Sequence, residues 1–458
     1  MKLFFILLTL CGVAGNVQPS YLVDISALLE NKDPEAQRQV KLQIDQGLRE
    51  NGLIVITGHG LTTDLSRKSF DSARALFELE SSSKQEVAIR NDKTSFGRGY
   101  LGFGDESGLS STFEPKEGFS YGNSLTFNTS NLLSLPNKWP SSLPAQEIHT
   151  FNTLYDEKVR VAHLIVSALS EMFSCTGDSN DGNDGGEESR ATDLYGMIAG
   201  GREISLMRLF HYFHQQSPTV QQHLQALRST TTTTTNPTDE SPSTAFTASP
   251  SAMLGSSPHT DWGFLTLILA DEVGGLQFIP KGGSVSEHSW VDVPYIPGSL
   301  VVNGGDYLKL VSKGVYHSPI HRVLSPGSRR SPDSGACGSV EDRATEGDEE
   351  GGVEGGKGAD TCPDRYSFVF FFYPSYSSPV SDQVLGHCTH YLNAEIGSAE
   401  ATIDSTGGAS TRHKEHQGET FNTLLALEEG GKATTGAHQF GDYVIKKWKG
   451  VYRREETY

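Results

Sequence analysis

A chain of 458 residues with a hydrophobic fraction of 36 % and 49 glycines is long enough for a substantial core, but it carries polar stretches that no core can absorb. The formal net charge of -19 argues against a phosphate-neutralising nucleic-acid surface, which needs clustered Lys and Arg, and leaves a small molecule or a protein as the expected substrate. No run of about 20 apolar residues appears, so no stable membrane span is expected.

Residues 3 to 15 form a short apolar run behind Lys2 and end in small residues, the form of a secretory signal over residues 1–15. A secretory route follows from it, with a cytoplasmic location as the alternative. Cys175, Cys337, Cys362 and Cys388 would remain after cleavage, with no C-x-x-C pair for a zinc knuckle and Cys337–Cys362 open as a disulfide. Asn128-Thr129-Ser130 is a glycosylation acceptor only in a secreted chain.

The segment from Tyr21 to Leu29 alternates apolar and polar residues and predicts a strand. Asp33-Pro34 then offers a helix cap with a first-turn proline, and Ala36, Val40, Ile44 and Leu48 repeat every four residues along one helix face. Asn51-Gly52 ends that helix, and Leu53-Ile54-Val55-Ile56 predicts a buried strand running to Gly58-His59-Gly60. Ile148, Phe151, Tyr155, Ala162, Ile165 and Leu169 predict a long packing helix over 146–175.

Beyond Ile204 the pattern changes to short β-rich runs at Ile204–Phe213, Leu265–Leu269, Leu276–Ile279, Leu300–Val302 and Tyr366–Tyr373, which suggests a sandwich or barrel. Four insertions interrupt the chain at about Thr176–Ala191, Ser229–Ser257, Gly327–Asp364 and Ala394–Ala437. Their compositions bury too little apolar surface to offset ordering entropy, so surface loops are expected.

His259-Thr260-Asp261 places an imidazole and a carboxylate two positions apart, on the same side of an extended segment. By itself the pair is also what a turn His beside an Asp looks like. His317 and His321 are the candidates for a third ligand; His321 is preferred because Ile320 before it and Arg322-Val323 after it read as a strand, while His317 is expected to face substrate or solvent. Two imidazoles and one carboxylate leave coordination positions open, which suits non-haem Fe(II) rather than a closed structural zinc site. Arg365 and Ser367 leave one side of a strand together, and a guanidinium with a neighbouring hydroxyl suits a carboxylate, although an Arg in an ordinary salt bridge reads the same in isolation.

The ordered set H-T-D-x-G-x-L-T-L (from His259), V-G-G-L-Q (from Val273), P-G-S-L-V-V-N-x-G-D (from Pro297), H-R-V (from His321) and R-Y-S (from Arg365) resembles the isopenicillin N synthase-like, plant-type 2-oxoglutarate and Fe(II)-dependent dioxygenases. The resemblance spans most of the chain outside the insertions. It implies an α+β fold with a distorted double-stranded β-helix (jelly-roll) core, flanking helices and a separate N-terminal α/β domain over 20–135. The catalytic domain would occupy 200–380 with the insertions at about 229–257 and 327–364. After the 394–437 insertion, Gly441-Asp442-Tyr443 resembles a C-terminal family segment and returns the chain to the core over 438–458.

The resemblance further implies His259, Asp261 and His321 as ligands of Fe(II), Arg365 and Ser367 as the grip on the distal carboxylate of 2-oxoglutarate, and O2 as second cosubstrate. Phe210-His211-Tyr212-Phe213 stands where the family has Asn-Tyr-Tyr-Pro, which makes Tyr212 a further cosubstrate candidate in an uncertain register. The implied activity is oxidation, with hydroxylation as the default, of a small organic substrate by a monomer, releasing succinate and CO2. Two rivals are an oxidase on the same triad that needs no 2-oxoglutarate, and a binding protein that has kept only the fold.

Overall fold

The structure, a computed structural model, describes residues 21–30, 32–91, 97–106, 113–125, 131–172, 194–231, 253–283, 285–286, 289–328, 363–380 and 439–453. The signal segment, the four cysteines, Asn128 and most of each insertion lie outside these residues.

In chain order, β1 (Leu22–Asp24) leads into α1 (Ser26–Glu30), so the expected strand over Tyr21–Leu29 is corrected to three residues. The cause is local: Asp24 Oδ1 accepts from Ser26 N at 2.9 Å and turns the chain before the alternation can continue. In α2 (Pro34–Glu50) the Asp33 carboxylate accepts from Glu35 N and Ala36 N at 3.1 Å, and Val40, Ile44 and Leu48 are buried. Gly52 ends it at φ +72, where an added Cβ would lie 2.7 Å from the His317 carbonyl. Then follow β2 (Leu53–Thr57), α3 (Thr63–Phe77), α4 (Ser81–Gln85), β3 (Gly99–Leu101), β4 (Lys116–Gly122) and the 28-residue α5 (Ala145–Met172).

The second half comprises α6 (Leu194–Met197), α7 (Gly201–Ile204), β5 (Leu206–Tyr212), α8 (Pro218–Thr231), β6 (Leu254–His259), β7 (Leu265–Ala270), β8 (Leu276–Phe278), β9 (Val291–Asp292), β10 (Leu300–Gly304), α9 (Asp306–Val311), β11 (His321–Leu324), β12 (Arg365–Phe372) and α10 (Phe440–Arg453). The insertion expected over Ser229–Ser257 is therefore too wide: Ser229–Thr231 close α8, and Leu254–Ser257 belong to β6, held by pairing with β11 that local composition does not reveal.

Eight strands form one sheet in the order β1-β2-β10-β7-β12-β5-β4-β3, and four form a second in the order β6-β11-β8-β9. The N-terminal segment supplies both edges of the large sheet, β1-β2 on one side and β4-β3 on the other, so its strands share a sheet with the C-terminal half instead of closing one of their own.

β12 divides the molecule. Phe368, Phe370 and Phe372 are fully buried on one face, where Phe151, Tyr155 and His163 of α5 meet their rings at centroid distances of 6.2, 5.1 and 5.4 Å. Lys158 of α5 is buried there too and donates to the carbonyls of Leu267 (3.1 Å) and Phe368 (2.7 Å), tying the helix to β7 and β12. The opposite face, with Arg365, Ser367, Val369 and Phe371, looks into a cavity whose far wall is the small sheet.

Candidate active site

The triad is built at one end of the small sheet. His259 ends β6 and His321 starts β11, and the two are direct cross-strand partners with ring centroids 4.3 Å apart. Asp261 follows in the loop before β7, with its carbonyl accepting from Asp306 N at 2.7 Å. Its Oδ1 lies 3.8 Å from Nε2 of each histidine. The three ligand atoms lie within 4.8 Å of one another, so they could hold one ion about 2 Å from each donor.

Second contacts set the tautomers. Nδ1 of His259 faces the Ser257 carbonyl at 2.7 Å and Nδ1 of His321 faces the Pro319 carbonyl at 3.2 Å. A carbonyl only accepts, so both Nδ1 atoms carry the proton and both Nε2 lone pairs point to the centre. Asn303 Nδ2 donates to Asp261 Oδ2 at 2.8 Å, which orients the carboxylate and leaves Oδ1 for the ion. Burial, reinforced by the neighbouring His321, pushes His259 down to about 4 and keeps the imidazole neutral. Burial acts to raise Asp261, but the two imidazoles and Asn303 outweigh it, and the carboxyl lies below its ordinary range.

Arg365 opens β12 inside the same cavity and is 1 % exposed. Its guanidinium stacks 4.7 Å over the Tyr212 ring and donates to Ser367 Oγ at 3.3 Å, while its Nε has no partner among the described residues. A buried cation with an unused donor fits an anionic group supplied from outside the chain. Tyr212 is brought to Arg365 by cross-strand pairing, beneath the guanidinium, and is not among the residues lining the cavity. Of the two expectations for His317 only the substrate-facing one is corrected: it is half-buried outside the cavity, its backbone N donates to Leu48 O at the end of α2 at 3.2 Å, and burial pushes its imidazole down to about 4.

Sequence reasoning missed the rest of the cavity, which measures about 1030 Å³ with its open mouth included. Arg208 of β5 and Glu106 form an ion pair through two guanidinium nitrogens, one of them 3.1 Å from Oε1. Lys116 of β4 is 2.5 Å from Glu114, whose other oxygen accepts from Ser257 N at 2.7 Å. Trp262, Tyr373 and Trp448 of α10 complete the wall. Arg208 shares the strand face of Phe210 and Tyr212 and was findable by alternation; the others carried no local signal.

Two family models match the chain: the 2OG-Fe(II) oxygenase superfamily over residues 209–332, and the non-haem dioxygenase in morphine synthesis N-terminal model over residues 22–142. The chain belongs to the 2OG-Fe(II) oxygenase superfamily. It is an oxidoreductase that depends on non-haem Fe(II) and 2-oxoglutarate. Among the relatives of this oxygenase are the 2-oxoglutarate-dependent dioxygenase caaD of Aspergillus niger, 23 % identical over 67 % of this chain and 80 % of the relative, and the 2-oxoglutarate-Fe(II) type oxidoreductase hxnY of Emericella nidulans, 28 % identical over 65 % and 73 %. In fold it is similar to a 2OG-Fe(II) oxygenase family protein from Caulobacter crescentus, with a TM-score of 0.52 at 19 % identity over 80 % of this chain and 90 % of that one.

Proposed function

We propose that this oxygenase hydroxylates a small organic substrate, with His259, Asp261 and His321 holding the iron and Arg365 with Ser367 binding the distal carboxylate of 2-oxoglutarate. The observation that carries the assignment is the convergence of two Nδ1-anchored imidazoles and an Asn303-held carboxylate in one cavity with a buried guanidinium whose Nε lacks a partner among the described residues. Bound ferrous iron supplies the dioxygen chemistry, in which 2-oxoglutarate becomes succinate and CO2 while the substrate gains an oxygen atom. The chain contributes geometry: the Ser257 and Pro319 carbonyls fix the imidazoles, Asn303 fixes Asp261, and the Tyr212 ring supports the guanidinium of Arg365. Ile268, Leu276 and Val369 line the same cavity and make its wall apolar, which strengthens the pairing of a buried guanidinium with a carboxylate.

The facing sheets, with both histidines on the small sheet and Arg365 on the large one, support a distorted jelly roll in which the 20–135 segment closes the edges of the core. Anaerobic titration with Fe(II) and 2-oxoglutarate tests the function: a visible charge-transfer band that disappears in His259→Ala and weakens in Arg365→Ala is expected, with one succinate released per substrate oxidised. Iron binding without the band overturns the cosubstrate assignment, and absence of iron binding overturns the triad.

A further inference from the structure

The outer half of the cavity is separated from the Arg365 end by strand register. Tyr212 pairs with Arg365 and Arg208 pairs with Val369, so Arg208 lies four residues along, roughly 13 Å at strand rise. Phe210 stands between them on the same face of β5, and the Arg208 guanidinium lies 4.8 Å over the Phe210 ring and 5.3 Å over that of Trp448. With 2-oxoglutarate assigned to Arg365, the Arg208 end is left for the prime substrate.

Charge limits what can enter. Among the described residues that line the cavity, the two cations besides Arg365 each face a carboxylate, Arg208 facing Glu106 and Lys116 facing Glu114. At the inner end, the two positive charges of ferrous iron and that of Arg365 balance Asp261 and the two negative charges of 2-oxoglutarate, the bound imidazoles being neutral donors. Over its described lining residues the loaded cavity is therefore neutral, and a substrate bearing a net charge would bury that charge with no counter-ion among them. The Glu106–Arg208 pair still offers carboxylate lone pairs beside guanidinium N–H groups. Glu106 is its accessible member, with a side chain 21 % exposed against 6 % for Arg208.

The wall around the pair is aromatic. Trp262 and Trp448 meet edge to face at 5.2 Å, and Tyr373 is pressed so close to Gly263 that an added Cβ would lie 2.8 Å from its ring. Resting on the proposed iron and 2-oxoglutarate sites, we infer that the prime substrate is an uncharged molecule with a flat aromatic or heteroaromatic ring. Trp262, Tyr373 and Trp448 surround the ring, and an amide-like donor and acceptor pair on the substrate bonds Glu106 and Arg208.

The test uses the full chain loaded with redox-inert Zn(II) and saturating 2-oxoglutarate, titrated calorimetrically with 3-phenylpropanamide, 3-phenylpropanoate and 3-phenylpropylamine and with their naphthyl counterparts. These probes share a ring and differ in charge. The amide is expected to bind at least tenfold tighter than either charged member. In Glu106→Gln the carboxylate should gain at least tenfold, because Arg208 loses its counter-ion, and in Arg208→Gln the amine should gain instead. Preference of the wild type for a charged member, or no binding of any probe to the loaded protein, overturns the inference. Metal and 2-oxoglutarate loading is measured first in the same cell, and failure at that step strikes the proposed function on which the inference rests.

Discussion

The two faces of β12 do opposite work on one backbone. Phe368, Phe370 and Phe372 are sealed against α5, whereas Arg365 and Ser367, on the alternate positions, are buried in a cavity with polar capacity left over. Alternation at a period of two lets a strand combine both roles, because neighbouring residues are separated by the sheet itself. The lesson is that burial alone does not mark a core residue. What separates the faces is whether the buried groups are fully satisfied by the described residues, as the phenylalanines are and Nε of Arg365 is not.

The comparison breaks most sharply at the metal. His259→Ala should abolish iron binding and turnover while leaving the thermal transition of the metal-free protein nearly unchanged; metal analysis beside calorimetry checks this, and a collapsed fold would mean that the cavity face also carries stability. Phe370→Ala tests the reverse. It should cost about 3–5 kcal/mol in denaturant unfolding, as for other large-to-small core changes, while the folded fraction keeps one iron per chain. Arg365→Lys keeps the charge but loses the planar fork, so 2-oxoglutarate should bind on the order of tenfold more weakly with little change in stability.

The smallest expected effect concerns the other side of β5, where Nδ1 and Nε2 of His211 each lie 2.9 Å from a carboxylate, Glu117 and Asp364 respectively. Burial acts to lower His211, but the hydrogen bonds and charges of these two carboxylates outweigh it, and the imidazole lies above its ordinary range. Its contribution to stability is therefore full below about pH 6.5 and is lost as pH rises through the raised value. Glu117 and Asp364 are both held below their ordinary ranges, so their contribution is present above about pH 4 and is lost on acidification. His211→Gln should flatten the alkaline side of the stability profile without moving the iron content; an unchanged profile would show that the pair of contacts does not stabilise the charged imidazole.

Much of this was legible locally. The capped and amphipathic α2, the buried run of β2, the long α5 and the R-Y-S strand are governed by neighbours within a few residues, and the motif order carried the triad and the family. Local rules misjudged the strand over Tyr21–Leu29, where one Asp24 side chain redirected the backbone, and missed β6 within a low-complexity stretch that only its partner strand defines. Sequence by itself determined which chemistry the chain carries: two histidines, an aspartate and an arginine of fitting type, in fitting order. Tertiary structure decided which groups meet. Register pairs His321, not His317, with His259, carries Glu106 to Arg208 across 102 residues and brings Trp448 from the C-terminal helix to the cavity. The physical reason is that strand and helix periods are set by adjacent residues, whereas the partner across a sheet is set by hydrogen-bond register between segments whose separation along the chain leaves no trace in either one.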